Sequence, residues 1–545
     1  MRKHLTFILS ILIITLTLVQ CAKRGSPTGG PIDELPPVIL RAYPENYSTN
    51  FTASEIVIQF DEYVTFKDLN KQLVISPPME YPPIILPQGG VGREITIRIQ
   101  DTLKENATYM MNFGQSLVDN NEANPYPFFK YVFSTGSYID SLTLNGRIKN
   151  VLEYETSDYV NVLLYEVDST YTDSAIYNDN PDYILNTLDS LENFTFENLR
   201  EGTYRMVALK EENSDYRFNP KRDMIGFYPN LISVPSDSVY EIKLYRQTAD
   251  PLIRRAYHKS RYAIEVGYEG VLDSMDIEPI NSTLITESRI TRLNDTDSLQ
   301  YWFKNEFKAD TVEFKASLRD FEEIFEVRIK DSLPIDTLAF NSSSKEFTDR
   351  TKGKTLALPA TTPLENIDMS KVTIIDRDSI PVEATSTINK LRNYITFNFT
   401  KEESQIYQAE ILPGAVEDFF GATNKDTLRL KMTTKKNRDF GNIFLDLQGG
   451  TNFPVIVQVV DSKLTVIEEQ IATENGPVNF ELLNPSEYLI RIIYDENANS
   501  IYDPGNALLN RQPERVEYLL DKYGRLPKKI KLLSNWDIVE TINLD

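Results

Sequence analysis

Ile56-Val57-Ile58-Gln59-Phe60 and Ile95-Thr96-Ile97-Arg98-Ile99 place apolar side chains on every second residue. Successive side chains of a strand point to opposite faces, so this period sends one row into a core and the other toward water. Tyr131-Val132-Phe133-Ser134-Thr135 is a third strand-forming run, and turn signals such as Pro77-Pro78 and Gly89-Gly90 separate the runs. Short strands without helical periodicity predict a β-sandwich over residues 37–137.

The same grammar continues outward from that stretch. Val160-Asn161-Val162-Leu163-Leu164-Tyr165 and Phe194-Thr195-Phe196-Glu197-Asn198-Leu199 read as strands, and Arg200-Glu201-Gly202-Thr203 turns into Tyr204-Arg205-Met206-Val207-Ala208. A second β unit is therefore expected at 141–247. The chain then repeats itself. Phe196, Leu199, Tyr204, Asn213 and Pro220 recur as Phe480, Leu483, Tyr488, Asn497 and Pro504, each pair 284 residues apart. Ile95–Ile99 returns as Ile395-Thr396-Phe397-Asn398-Phe399, offset by 300, and Tyr109 with Val118-Asp119 returns as Tyr407 with Val416-Glu417, offset by 298. These matches predict copies of the two units at 355–436 and 438–545, with residues 190–222 and 474–506 forming the same strand–turn–strand–loop. Val312-Glu313-Phe314 and Phe325-Glu326-Val327-Arg328-Ile329 alternate as well, so 250–350 is read as a further sandwich. The expected fold is all-β: tandem β-sandwiches strung like beads.

Pro36-Pro37, Tyr43-Pro44, Ile58-Gln59-Phe60-Asp61-Glu62-Tyr63-Val64 and Phe133-Ser134-Thr135-Gly136 resemble the bacterial Ig-like domain of envelope lipoproteins of Bacteroidota. That resemblance implies an Ig-like sandwich over 37–137 and, through the repeat, over 355–436. The units at 141–247 and 438–545 resemble the transthyretin-like, or carboxypeptidase-regulatory-like, sandwich, which implies structural spacers.

Arg2 and Lys3 precede an apolar run, Leu5 to Val19, and Leu18-Val19-Gln20 leads into Cys21, the single cysteine among 545 residues. A basic start, an apolar run and a cleavage site make a secretory signal, here residues 1–20. The alternative, a membrane-spanning anchor, needs about 20 apolar residues, more than this run supplies. The stretch resembles the lipobox of bacterial lipoproteins, which implies that the Cys21 thiol is acylated, with chains such as palmitate, and becomes the mature N-terminus. More than one acyl chain holds a protein stably on a bilayer. Residues 21–36 then form a Gly/Pro/Ser-rich tether. Ala22 follows the cysteine, which points to the outer membrane, and Lys23 and Arg24 leave its surface and periplasmic faces equally open.

Composition limits the rest. The formal charge is −23, and removing the signal takes away Arg2 and Lys3, leaving it two units more negative. Such a chain offers no broad basic surface for nucleic acid, and an anionic leaflet repels it. A hydrophobic content of 41% is enough for packed cores, and with one cysteine no intrachain disulfide forms. The two histidines are His4, in the signal, and His258, so most zinc sites and histidine-based nucleophile systems are excluded.

The sharpest local motif is Asp495-Glu496-Asn497-Ala498-Asn499-Ser500-Ile501-Tyr502-Asp503. Asp495, Asn497, Asn499 and Asp503, with the carbonyl of Ile501, occupy the oxygen positions of an EF-hand-like calcium loop. Ser500 replaces the glycine of the sharp turn, and Asn506 stands where a bidentate glutamate completes the shell. The competing reading is an Asx-rich turn whose side chains bond their own backbone. Calcium is the one cofactor suggested, and the turn is expected to show no calcium response. Glu211, Asn213, Asp215 and Asn219 form a weaker version of the loop.

His258 lies in a basic island, Arg254-Arg255-Ala256-Tyr257-His258-Lys259, which suggests a domain edge or a dock for an acidic surface. Carboxylate pairs such as Glu211-Glu212, Glu322-Glu323 and Glu402-Glu403 invite a glycosidase reading, yet 80 acidic residues produce adjacent pairs by chance. Tyrosines (30) and phenylalanines (27) can stack sugars or line an interface, and most are expected in strand cores. The expected function is a non-enzymatic, lipid-anchored outer-membrane scaffold or interaction subunit, accessory to an outer-membrane protein complex. A surface glycan- or ligand-binding lipoprotein is the alternative, and a carboxylate-based hydrolase comes third.

Overall fold

The computed structural model describes residues 34–544 apart from 155–158, 188–192, 273, 281–286, 294–295, 306, 308, 341–345 and 350–355. The signal, Cys21 and nearly all of the tether lie outside the described residues. What is described is strand and loop, with short helical turns such as Leu69–Gln72 and Ala175–Asn178. The fold is a tandem array of β-sandwiches. The described residues divide into two compact units, the first ending at Asp140 and the second beginning at Ser141.

In the first unit Glu55–Phe66 is flanked by Ile39–Tyr43 and Gly92–Arg98, with Ile84–Leu86 beyond the latter and Leu117–Asp119 on the far half of the long strand. A second sheet of Val74–Ser76, Thr108–Asn112 and Lys130–Ser134 completes the sandwich. The alternating runs behave as their period requires. Ile56, Ile58, Phe60, Ile95 and Ile97 share one core with Tyr109, Met111, Tyr131 and Phe133. Their neighbours Gln59 and Glu94 stay on the outer face, hydrogen-bonded to each other at 2.9 Å.

Among the described residues the second unit holds four successive cores, each built mainly from one stretch of chain, and a small cluster of Ala263, Trp302 and Phe419 that joins two of them. In residues 142–244, Leu142–Asn150 lies between Asn193–Leu199 and the parallel strand Val239–Leu244, facing a sheet ordered Tyr183–Thr187, Val160–Glu166, Gly202–Lys210, Met224–Phe227. Residues 441–543 repeat this order strand for strand. Gly441–Gln448 lies between Gly476–Leu483 and the parallel Asp537–Asn543, facing Val466–Ala472, Val455–Val460, Ser486–Tyr494, Val516–Tyr518.

The repeat predicted from spacing extends to backbone detail. Asn198 and Leu482, which are 284 apart, both have φ of 58°. Tyr204 Oη donates to the Arg200 carbonyl at 2.9 Å, and Tyr488 Oη to the Asn484 carbonyl at 2.7 Å.

The sandwich around residues 356–432 follows the first unit in the same way. The Lys104 N–H donates to Tyr109 Oη at 2.8 Å, and the Glu402 N–H to Tyr407 Oη at 2.7 Å. One pairing needs correcting. The buried counterpart of Asp119 is Asp418, not Glu417. Both aspartates end a short strand and accept N–H groups of the next turn, whereas Glu417 faces outward. A register irregularity between Leu364 and Asn366 accompanies this one-residue offset. Between the copies, Leu252–Ser260, Ala263–Glu269, Ser298–Phe303 and Ser288–Arg292 form one sheet. It packs on Asp276–Pro279, Thr311–Leu318 and Phe321–Arg328 around Tyr301, Phe303 and Phe314.

Candidate functional site

Beads on a string would leave each sandwich with a wet outer face, and the second unit departs from that expectation. Along Val160–Glu166 and Gly202–Lys210 the inward residues Val162, Leu164, Tyr204 and Met206 fill the core. The outward ones, Leu163, Arg205, Val207 and Leu209, are buried too. On the repeat, Ile456, Gln458, Leu489, Arg491 and Ile493 are outward and buried. Strands buried on both faces read as continuous apolar runs, which is why these stretches do not alternate.

Side chains on these faces reach the other copy. Arg205 lies over the Phe227 ring, 4.8 Å from its centroid, and donates to Asn510 Oδ1 at 2.9 Å. Gln512 donates to the Phe227 carbonyl at 3.0 Å, and the Ala507 N–H donates to Gln247 Oε1 at 2.9 Å. Tyr518 Oη and Arg491 both donate to the Leu152 carbonyl, at 2.6 and 3.2 Å. Gly505 sits so close to Tyr245 that a Cβ there would fall 2.4 Å from the ring. Gly505→Val is therefore expected to destabilise the second unit by about 1–3 kcal/mol, read by chemical denaturation.

A cleft of about 710 Å³ runs along this junction, with a smaller one of about 210 Å³ beside it; both are lined by Lys149, Val151, Glu241, Val516 and Glu517. Tyr154 and Tyr518 meet edge to face in the larger one, 6.0 Å between centroids.

The calcium-type loop lies on the same sandwich. Asp495 is buried, and its carboxylate accepts the N–H groups of Asn499 and Ser500 at 3.1 and 2.7 Å. The side-chain amides of Asn497 and Asn499 both donate to Asp503 Oδ2, and the Ile501 N–H donates to Asn499 Oδ1 at 2.9 Å. Glu514 closes the loop by accepting the N–H groups of Glu496 and Asp503, both at 2.9 Å, and burial pushes its carboxyl up. Glu514 lies eight residues beyond Asn506, outside the contiguous calcium-type motif. Among the described residues no group of three or more His, Cys, Asp or Glu side chains is placed to hold a metal. We expect millimolar calcium to leave the melting temperature unchanged; a rise abolished by Asp495→Ala would establish the ion site.

The related loop is built alike. Glu211 accepts the N–H groups of Asp215 and Tyr216 and the Asn161 amide, while Asp223 accepts the Asn219 N–H. Burial pushes the Glu211 carboxyl up to about 7, against the pull of those donors. A carboxyl raised on folding binds protons that the unfolded chain releases, so this group's stabilisation is present in acid and is lost as pH rises from about 4.5 to 7. Glu211→Gln should therefore flatten the decline in melting temperature between pH 5 and 8, measured against the parent protein.

The remaining candidates have structural partners. His258 is buried beside Phe303, its Nδ1 accepting the Lys330 N–H at 3.1 Å. The basic island is engaged internally: Arg254 pairs with Glu269, and Arg255 and Lys259 with Glu265. Arg254 and Lys221 hold the Glu269 carboxyl down at about 2. Glu322 pairs with Lys315 at 2.6 Å, Glu323 accepts the Ile253 N–H, and Glu403 accepts the Asn437 N–H.

Residues 33–135 match the family of bacterial Ig-like domains, in agreement with the resemblance carried by Pro36-Pro37 and Ile58–Val64. No curated protein matches the chain. Among solved structures it is similar to the S-layer protein rSbsC, at 10% identity over 90% of this chain and 67% of that one, TM-score 0.14. It is also similar to the N-terminal eight Ig domains of Down syndrome cell adhesion molecule, at 9% identity over 85% and 68%, TM-score 0.14. Tandem Ig domains A164–A165 of titin match at 15% identity over 34% of this chain and 97% of that one, TM-score 0.14. At such scores none of these structures bears on function or on how the sandwiches here are arranged.

Proposed function

We propose that this chain is a non-enzymatic scaffold, lipid-anchored through Cys21 at the outer membrane, where it serves as an accessory subunit of an outer-membrane protein complex. The Ig-like domain and the tandem sandwiches point to a surface or interaction protein. The observation that carries the scaffold reading is the burial of both faces of the equivalent sheets in residues 142–244 and 441–543. It joins these two sandwiches into one packed body that can present surfaces at fixed separation. We read these two sandwiches as transthyretin-like, and the lipobox at Leu18–Cys21 supports the anchor.

Purification from detergent-solubilised membranes tests the proposal. The intact chain should retain barrel proteins of the outer membrane, and Cys21→Ser should leave the signal uncleaved or release the protein in soluble form. Recovery of the intact chain alone, or acyl labelling that persists in Cys21→Ser, defeats the reading. The exposed rings of Tyr43, Tyr47, Tyr63 and Tyr81 favour the second reading, a glycan-binding lipoprotein, which a glycan array tests.

A further inference from the structure

Lys149 and Lys243 stand directly opposite one another on parallel neighbours, Leu142–Asn150 and Val239–Leu244. Like charges in that position repel and destabilise a sheet. The adjoining pair in the same register, Arg147 and Glu241, is an ion pair at 2.6 Å. Among the described residues Lys149, Lys243 and Arg525 make no ion pair, and all three line the clefts at the junction of the repeats. The carboxylates that line the two clefts are engaged by other groups: Glu241 by Arg147, Glu517 by Arg515 and Tyr494 Oη, Glu514 by the N–H groups of Glu496 and Asp503, and Glu153 by the Asn150 amide.

The cleft also offers backbone. Val516–Tyr518 and Asp537–Asn543 are each the outer strand of a sheet, and residues of both line the larger cleft. An outer strand leaves N–H and C=O groups for an incoming extended chain. Leu520 and Leu526, both exposed, supply apolar contacts along it. Clefts between modules are common ligand sites.

We infer that the two adjoining clefts at this junction bind an extended acidic peptide segment of a partner protein, its carboxylates taken by Lys149 and Arg525 in the larger and by Lys149 and Lys243 in the smaller. Charge complementarity fixes the occupant. The chain carries −23 overall and repels acidic polypeptides, so an opposed, unpaired lysine pair is where one can dock. An incoming carboxylate relieves the repulsion between the two lysines, and the outer strands hold the peptide extended. This goes beyond the proposed function, because peptide capture stands or falls without a membrane.

Fluorescence anisotropy with the purified chain lacking residues 1–20 and a labelled decaglutamate peptide tests it. Binding is expected at low ionic strength, weakening as salt rises. Lys149→Gln and Lys243→Gln should each weaken it by up to about fivefold, and the double variant by more. Lys401→Gln, on a different sandwich, should leave it unchanged. Lys149 is exposed and Lys243 half-buried, so thermal melting confirms that each variant is folded. Absence of binding, binding unmoved by the double variant, or capture of a sulfated oligosaccharide in preference to the peptide would overturn the inference.

Discussion

Phe227→Ala should cost about 3–5 kcal/mol, the usual range for removing a fully buried phenylalanine. Part of the damage should appear in the other repeat. Phe227 is on the outward face of its sheet, opposite Val207, with the Arg205 guanidinium over its ring. Its carbonyl is held by Gln512, and Asn510 is bonded to Arg205. Losing the ring frees Arg205 and loosens residues 505–512, almost 300 positions away in sequence. Hydrogen exchange should rise across 505–512 while Ile56–Phe60 of the first unit stays protected. An independent bead would confine the change to residues 142–244. Ile324→Ala, at a position 63% exposed on an outer strand, is the control and should change stability by no more than about 0.5 kcal/mol.

The second large effect is expected at Asp119. Burial works against its charge, yet the N–H groups of Asn121, Glu122, Ala123 and Asn124 hold the carboxyl below its usual range. A carboxyl lowered on folding contributes stability above its unfolded value, near pH 4, and loses it as the pH falls further. Asp119→Ala strands those donors and should destabilise the first unit by about 2–3 kcal/mol at neutral pH. The difference between variant and parent should shrink toward pH 2. Asp418→Ala should do comparable damage in the copy, where Thr362, Phe420 and Ala422 donate to the carboxylate. Glu417→Ala should be nearly silent. Equal loss from Glu417→Ala and Asp418→Ala would contradict the assigned register.

The strands were legible because alternation is local. Ile56-Val57-Ile58-Gln59-Phe60 shows its buried and wet rows within five residues. The repeat was legible because a one-residue slip would turn Phe480 and Tyr488 outward, so their spacing is held. What escaped was long-range. Val455-Ile456-Val457-Gln458-Val459-Val460 announces burial on both faces by its lack of alternation, but not what covers the second face. Glu514 escaped because it closes its loop from eleven residues beyond Asp503, outside any contiguous motif. The Lys149–Lys243 pair escaped because the two strands that carry it are nearly one hundred residues apart and pair only in three dimensions.

The parallel closure of residues 441–543 has a mechanical consequence. Its first strand, Gly441–Gln448, and its last, Asp537–Asn543, run side by side in the same direction. Chain therefore enters at one end of this pair and leaves at the other. Tension applied through the two ends slides the strands past one another and loads the whole ladder of bonds at once. A hairpin-like closure would instead part like a zipper, bond by bond. Residues 142–244 share this geometry through Val239–Leu244. Both copies are thus suited to carry a pulling force along the chain without unravelling from their ends.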